Sequence, residues 1–299
     1  MSWVQLPTRK VFKSEVHQHQ LEQEGYVKLQ ALGEKQISEL LAIYEKGKSP
    51  ELDHPFYTSN WSADIDYRKK IDAQVRPILE EALAGLFQDY KCMFGYFLVK
   101  RPSAESMFRV HQDWTMVDES NFTGLTAWFA LTDTTVENGC FHVVKKSHLF
   151  SDHVRGSEIV SPYCDIQDEI EKEFCTPLEV KKGEVVLFDH RLWHYSPPNF
   201  SKQDRVAAGM VLIPSETTFV HYHLNTGSGK LSTFKADDDF LINTGFGDDI
   251  ASKGYELVAE KDFQQSQLDF SEFKNRYYKF NPESNSSWSI KSLLERIGA

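Results

Sequence analysis

The residues that most constrain how this chain folds are His111-Gln112-Asp113, His194 and Arg205, the last lying eleven positions beyond the second histidine. Two histidines and one carboxylate are the ligand set that holds a non-haem ferrous ion on one face and leaves the opposite face open. On an extended strand, residues i and i+2 point to the same face. His111 and Asp113 therefore reach one metal while Gln112 points away. His194 must then come from a distant strand that folds back beside the first. An arginine beyond it can clamp a carboxylate with two parallel hydrogen bonds. Together these residues describe an iron centre with a place beside it for a dicarboxylate co-substrate.

The segments around them read as strands. Phe94 to Val99 is aromatic and β-branched. Glu184 to Phe188 starts after Gly183, and Val206 to Ile213 is bounded by Pro214 with Arg205 at its mouth. Upstream, Glu34 to Lys46 carries Ile37, Leu40, Leu41 and Tyr44 at a helical period. Asp64 to Tyr90 does the same with Ile71, Val75, Ile78, Leu79, Leu83 and Leu86. An acidic insert at Asp165 to Phe174 reads as helix. Helices followed by many strands predict a mainly β fold with flanking helices (α+β), the helices lying outside a β-sandwich. The matching architecture is a double-stranded β-helix, the cupin-like jelly roll. One domain over residues 1–299 is expected, with its core at about 20–215 and residues 216–299 as an extension packing on or near it. In that extension Phe219 to His223 reads as a strand and 235–239 as an exposed charged run. Short helices are expected around Leu268 to Tyr277 and Ser289 to Ile297.

The ordered set His111-x-Asp113 and His194-x-Ser196-x-x-Asn199-x-Ser201-x-x-x-Arg205 resembles the phytanoyl-CoA dioxygenase family of Fe(II)/2-oxoglutarate oxygenases. Thr126 to Asp133 through Asn138-Gly139-Cys140 is similar to that family's strand and turn after the first ligands, and Glu24 to Leu29 to its opening strand. The resemblance implies iron on His111, Asp113 and His194, with Fe(II), 2-oxoglutarate and O2 as the cofactor and co-substrates. It implies that Arg205, helped by Ser196, holds the distal carboxylate of 2-oxoglutarate. It also places Lys100 where some members contact the other end of that molecule. Halogenases related to the family have a small residue at the carboxylate position, so Asp113 favours hydroxylation. In one respect the chain departs from the pattern: Lys145-Lys146 stand where the family commonly has glycine before Ser147-His148. Lysine resists the positive φ that glycine permits, so a differently shaped loop is expected.

Other residues compete for roles. A His-x-Asp pair is common by chance, and it gains weight only from His194 and Arg205 in order behind it. His190 lies near His194, and the two would share a face on a helix. Pro197-Pro198 and the preceding Val-Val-Leu-Phe argue against a helix there, so His190 is read as structural or supporting. Trp114 and Trp128 are candidate walls of a substrate pocket, although a core aromatic is the default. Arg109 shares parity with His111 and is a further candidate, set against an ordinary exposed strand-end arginine. Two other functions remain open: a cupin-type metalloenzyme without 2-oxoglutarate, and a non-catalytic jelly-roll ligand-binding protein.

Composition narrows the partners. The formal net charge of -11 argues against general nucleic-acid binding, which needs a basic footprint. No stretch is apolar enough to span a membrane, and the N-terminus lacks the pattern of a signal peptide. Cys92, Cys140, Cys164 and Cys175 are scattered rather than paired, which suits a reducing, cytoplasmic setting. The expected partner is a small-molecule substrate, met by a monomer or homodimer. No cluster of Lys and Arg specifies the pyrophosphate of coenzyme A.

Overall fold

A computed structural model describes residues 4–48, 53–245 and 248–284. In chain order the elements are α1 (Glu15–Glu24), β1 (Tyr26–Gln30), α2 (Glu34–Lys46), β2 (Phe56–Thr58), α3 (Ile65–Leu83), β3 (Tyr90–Lys100), β4 (Phe108–His111), β5 (Leu125–Ala130) and β6 (Phe141–Val144). There follow α4 (Gln167–Glu173), β7 (Cys175–Leu178), β8 (Glu184–Asp189), β9 (His194–Ser196), β10 (Arg205–Pro214), β11 (Val220–Asn225), β12 (Lys230–Lys235), α5 (Phe240–Asn243), β13 (Glu256–Asp262) and α6 (Phe270–Phe280).

The helices begin where side chains satisfy the free amides of a first turn. Asp64 caps α3 by accepting from the Asp66 and Tyr67 amides. In α2 the Gln36 side chain accepts from the Gly33 amide. Ile37, Leu40 and Tyr44 of α2, with Ile71, Val75, Leu79 and Leu83 of α3, form the buried stripes. Helix α3 is shorter than its apolar period suggested. It stops at Leu83, and the chain turns through a loop to start β3 at Tyr90.

Two antiparallel sheets make the body, one ordered β1-β8-β5-β10-β3-β2 and the other β4-β9-β6-β7. This is the jelly-roll arrangement with helices on the outside. Strand alternation explains both faces of the larger sheet. On β10, Val206, Ala208, Met210 and Leu212 join Leu125, Ala127 and Phe129 of β5 and Phe97 and Val99 of β3 in the core beneath α2 and α3. Each large apolar side chain so buried contributes about 1.5–3 kcal/mol. The opposite parity, Arg205 and Val211 with Phe94, Tyr96, Leu98, Thr126 and Trp128, faces the cavity between the sheets. Gly209 lies on this inner face between Tyr96 and Trp128. A Cβ there would stand 2.5 Å from the Tyr96 ring, so glycine lets the ring lie across the sheet.

The chain beyond Pro214 packs on the body in two places. Strands β11, β12 and β13 form a separate sheet. Phe219, Phe234 and Phe240 from this region bury against Met116, Val117 and Val211. Helix α6 buries Phe273 and Tyr277 against Trp193, Phe150 and Phe174. It begins two residues later than the helix expected at 268–277 and runs on to Phe280. The helix expected at 289–297 lies outside the described residues.

Tail packing also accounts for the loop at Lys145-Lys146. Lys146 adopts φ +59 in spite of its side chain, the conformation a glycine would permit. That conformation costs about 1–2 kcal/mol for a residue with a Cβ. The tail holds it: Lys146 Nζ donates to the Phe280 carbonyl at 3.2 Å, and Asn281 Nδ2 donates to the Lys145 carbonyl at 3.2 Å.

Candidate metal centre

Strands β4 and β9 pair antiparallel, and His111 sits directly opposite His194. The rings lie 4.1 Å apart between centroids. Asp113 follows two residues beyond the end of β4. Its Oδ1 is 4.0 Å from His111 Nε2 and 3.8 Å from His194 Nε2, and the three donor atoms lie within 4.8 Å of one another. Those separations exceed hydrogen bonds, so the atoms face a common gap.

Every other polar atom of the trio is already engaged. His111 Nδ1 lies 2.8 Å from the Arg109 carbonyl, and His194 Nδ1 lies 3.0 Å from the Leu192 carbonyl. A carbonyl only accepts, so each Nδ1 carries the proton and each Nε2 presents a lone pair to the gap. The Thr126 hydroxyl donates to Asp113 Oδ2, leaving Oδ1 free. Such supporting bonds fix tautomer and orientation in metal sites. Burial first, then the neighbouring His194, pushes His111 down to about 3, and burial likewise lowers His194. Burial alone would raise the Asp113 carboxyl, but His194, His190, His111 and Thr126 hold it below its ordinary value. Two neutral imidazoles and one carboxylate are the protonation states that metal binding needs.

Arg205 opens β10, is only 3% exposed, and lines the same cavity. Its guanidinium lies 5.4 Å from the Trp128 ring centroid, and Nη1 donates to the Gly139 carbonyl. Gly139 holds φ +73, and a Cβ there would meet the Pro197 carbonyl at 2.3 Å, so the turn that offers this carbonyl requires glycine. Nε of Arg205 is buried with no partner, and no carboxylate lies within ion-pair distance among the described residues. Burial pushes the group down to about 10. A buried cation without an anion is costly, and an incoming carboxylate relieves that cost. The residues thus fit both a ferrous ion and 2-oxoglutarate.

The other expected site residues divide. Ser196, Trp114 and Trp128 line the cavity of about 210 Å³ with the three ligands and Arg205. Lys100 does not reach the cavity. It is fully buried, and its Nζ donates to the Ser196 and Pro197 carbonyls at 2.8 and 2.6 Å. Burial first, then Arg205 across the β3–β10 ladder, pushes it down to about 5. Lys100 therefore ties the β9 end to β3. Arg109 is likewise not among the residues lining the cavity. Between Phe108 and His111 the β4 strand takes three steps while β9 takes two, Ser196 to His194. This bulge breaks the alternation. Arg109 consequently turns outward to pair with Glu171 at 2.8 Å and Asp168 at 2.5 Å. Gln112 turns back, donating to the Arg191 carbonyl at 2.6 Å. His190 is fully buried beside Gly124 and outside the trio.

Some contributors were not singled out by sequence. Thr126 shares parity with Trp128, and that signal was available. Phe141 stacks on His194 at 5.0 Å and Phe188 lies at 4.7 Å, while Phe108 packs edge-on to His111 at 4.3 Å. These contacts join strands distant in sequence.

A sequence profile of the family described as Phytanoyl-CoA dioxygenase (PhyH) matches residues 21–207. The chain belongs to this family. The matched span holds both histidine ligands, the carboxylate and Arg205. A phytanoyl-CoA dioxygenase domain-containing protein 1 homolog of Dictyostelium discoideum is 26% identical over 173 residues, 54% of this chain and 58% of that protein. Phytanoyl-CoA dioxygenase 1 of Oryza sativa subsp. japonica is 33% identical over 130 residues, 40% of this chain and 43% of that protein. The chain spans about half the length of the curated relatives it matches. Among solved structures it is similar to the non-heme alpha ketoglutarate dependent carbocyclase SnoK from nogalamycin biosynthesis. The TM-score is 0.50 at 23% identity, over 69% of this chain and 86% of that one. The epimerase SnoN, in complex with Fe3+, alpha ketoglutarate and nogalamycin RO, gives a TM-score of 0.51 at 18% identity, over 86% of this chain and 96% of that one. At such identities the likeness shows the shared fold.

Proposed function

We propose that this protein is a non-haem Fe(II)- and 2-oxoglutarate-dependent dioxygenase that hydroxylates an unactivated C–H bond of a small molecule, with release of succinate and CO2. The observation that carries the reading is the buried, anion-less Arg205 lining the same cavity as three converging metal ligands. A metalloenzyme or binding module whose ligand carries no carboxylate gives no reason to bury such a cation.

A ferrous ion bound there, with 2-oxoglutarate and O2, supplies the oxidation of the C–H bond. This chain's residues supply placement. The Nδ1–H bonds to the Arg109 and Leu192 carbonyls hold both imidazoles with Nε2 forward. Thr126 holds Asp113 Oδ2, leaving Oδ1 as the oxygen that would meet a bound metal. Arg205 and Ser196 receive the distal carboxylate and set the register of the co-substrate. Rings of Phe108, Phe141 and Phe188 pack against the histidines and exclude water around them. That exclusion strengthens every charge interaction inside.

The test is oxygen uptake coupled to succinate formation by the iron-loaded protein. His111→Ala and Asp113→Ala are expected to abolish iron-dependent turnover. Full activity in either variant contradicts the assignment.

A further inference from the structure

We infer that the substrate is a neutral, ring-bearing small molecule rather than a coenzyme A thioester; this rests on the iron and 2-oxoglutarate reading above. Charge is the first ground. Among the described residues, Arg205 is the one Lys or Arg lining the cavity. In that reading it is occupied by the co-substrate. A ferrous ion, Asp113, Arg205 and the two carboxylates of 2-oxoglutarate then cancel, leaving no surplus charge for an ionic substrate. The neighbouring cations are engaged elsewhere. Lys100 is held by the Ser196 and Pro197 carbonyls, Arg101 pairs with Asp53, and Arg109 pairs with Asp168 and Glu171. Phosphates of coenzyme A call for charge-assisted partners, and each of these cations would have to leave its present partner to serve as one.

Shape and surface are the second ground. Phe56 and Phe108 stack at 4.6 Å with planes 30° apart, and Trp61 meets both rings at 5.6 and 6.0 Å. Phe108 in turn packs on the ligand His111 at 4.3 Å, so this wall of rings leads to the metal gap. Aromatic faces favour offset stacking or edge contact with another ring. Tyr96, on β3 beside the β2 strand that carries Phe56, lies over Gly209 and lines the same cavity, and its hydroxyl has no protein partner among the described residues. A phenol in an apolar cavity selects for one hydroxyl or carbonyl on an otherwise apolar ligand.

The test uses the iron- and 2-oxoglutarate-loaded protein without oxygen. Calorimetric affinities are compared for naphthylacetamide, naphthylacetyl-coenzyme A and benzyltrimethylammonium, while visible absorption of the iron–keto-acid complex is followed in the same sample. The amide is expected to bind at least tenfold more tightly than either charged probe. Trp61→Ala should weaken it at least tenfold and Trp61→Phe should largely restore it, with the absorption band intact in both. Equal or tighter binding of the thioester or the ammonium probe overturns the inference. So does failure of the amide to bind while the band is present. Absence of the band overturns the iron and 2-oxoglutarate reading itself, and with it the charge balance used here.

Discussion

Replacing Arg205 with methionine separates the co-substrate site from the metal site. The guanidinium is 3% exposed, has one backbone acceptor at Gly139, and has an unpartnered Nε. A carboxylate bound to it forms a buried charged pair. Truncating one partner of such a pair costs about 2–5 kcal/mol, or roughly 30- to 4,000-fold in affinity. A thermal-shift assay reads this directly. At a 2-oxoglutarate concentration about 100-fold above its Kd, a protein gains about 2.7 kcal/mol. A chain of 299 residues unfolds with about 0.6 kcal/mol per kelvin of entropy near its midpoint, so that gain is about 4 °C. The variant is expected to gain about 1.5 °C or less under the same conditions. Its own stability without co-substrate should change little, because losing the Gly139 bond is offset by removing a buried cation that has no anion. Iron affinity should be retained. A full 2-oxoglutarate shift in Arg205→Met would refute the clamp.

Thr126→Val keeps the shape of the side chain but removes the hydroxyl that orients Asp113; metal affinity is expected to fall about 10- to 100-fold with the 2-oxoglutarate requirement unchanged, as metal titration will show. Several buried imidazoles have their pKa pushed down by burial, His111 and His153 to about 3 and His148 to about 4, from an ordinary value of 6.5. Between those values the unfolded chain binds more protons than the folded one. The metal-free protein should therefore lose stability as pH falls below about 6.5, by up to about 1.4 kcal/mol per pH unit for each such group. A urea midpoint that stays flat between pH 7 and 5 contradicts this. Arg109→Ala is expected to leave turnover and substrate KM within about twofold, and to cost about 1 kcal/mol or less in stability. A large rise in KM would return Arg109 to the cavity.

Much of this site is legible because strand geometry repeats every two residues. The parity of Thr126 and Trp128, and of Arg205 and Val211, follows from sequence position alone, as does the order in which ligands and clamp must meet. That reasoning fails where one residue interrupts the ladder. The bulge between Phe108 and His111 reverses Arg109, and nothing local to Arg109 announces it. Lys100 has inward parity, yet its Nζ is drawn to carbonyls nearly a hundred positions away. Lys146 takes a backbone conformation that its residue type disfavours because α6 and Asn281 secure the loop.

By itself, then, the order of residues determined the jelly-roll class, the convergence of His111, Asp113 and His194, and the placing of Arg205 at the mouth of β10. These are consequences of short-range periodicity and of a donor set whose chemistry leaves few choices. Tertiary structure alone decided which polar groups remain without partners, since a hydrogen bond or ion pair is assigned only when distant strands meet. It therefore left Arg205 lacking an anion, engaged Lys100 and Arg109 elsewhere, and lined the cavity with rings drawn from separate elements.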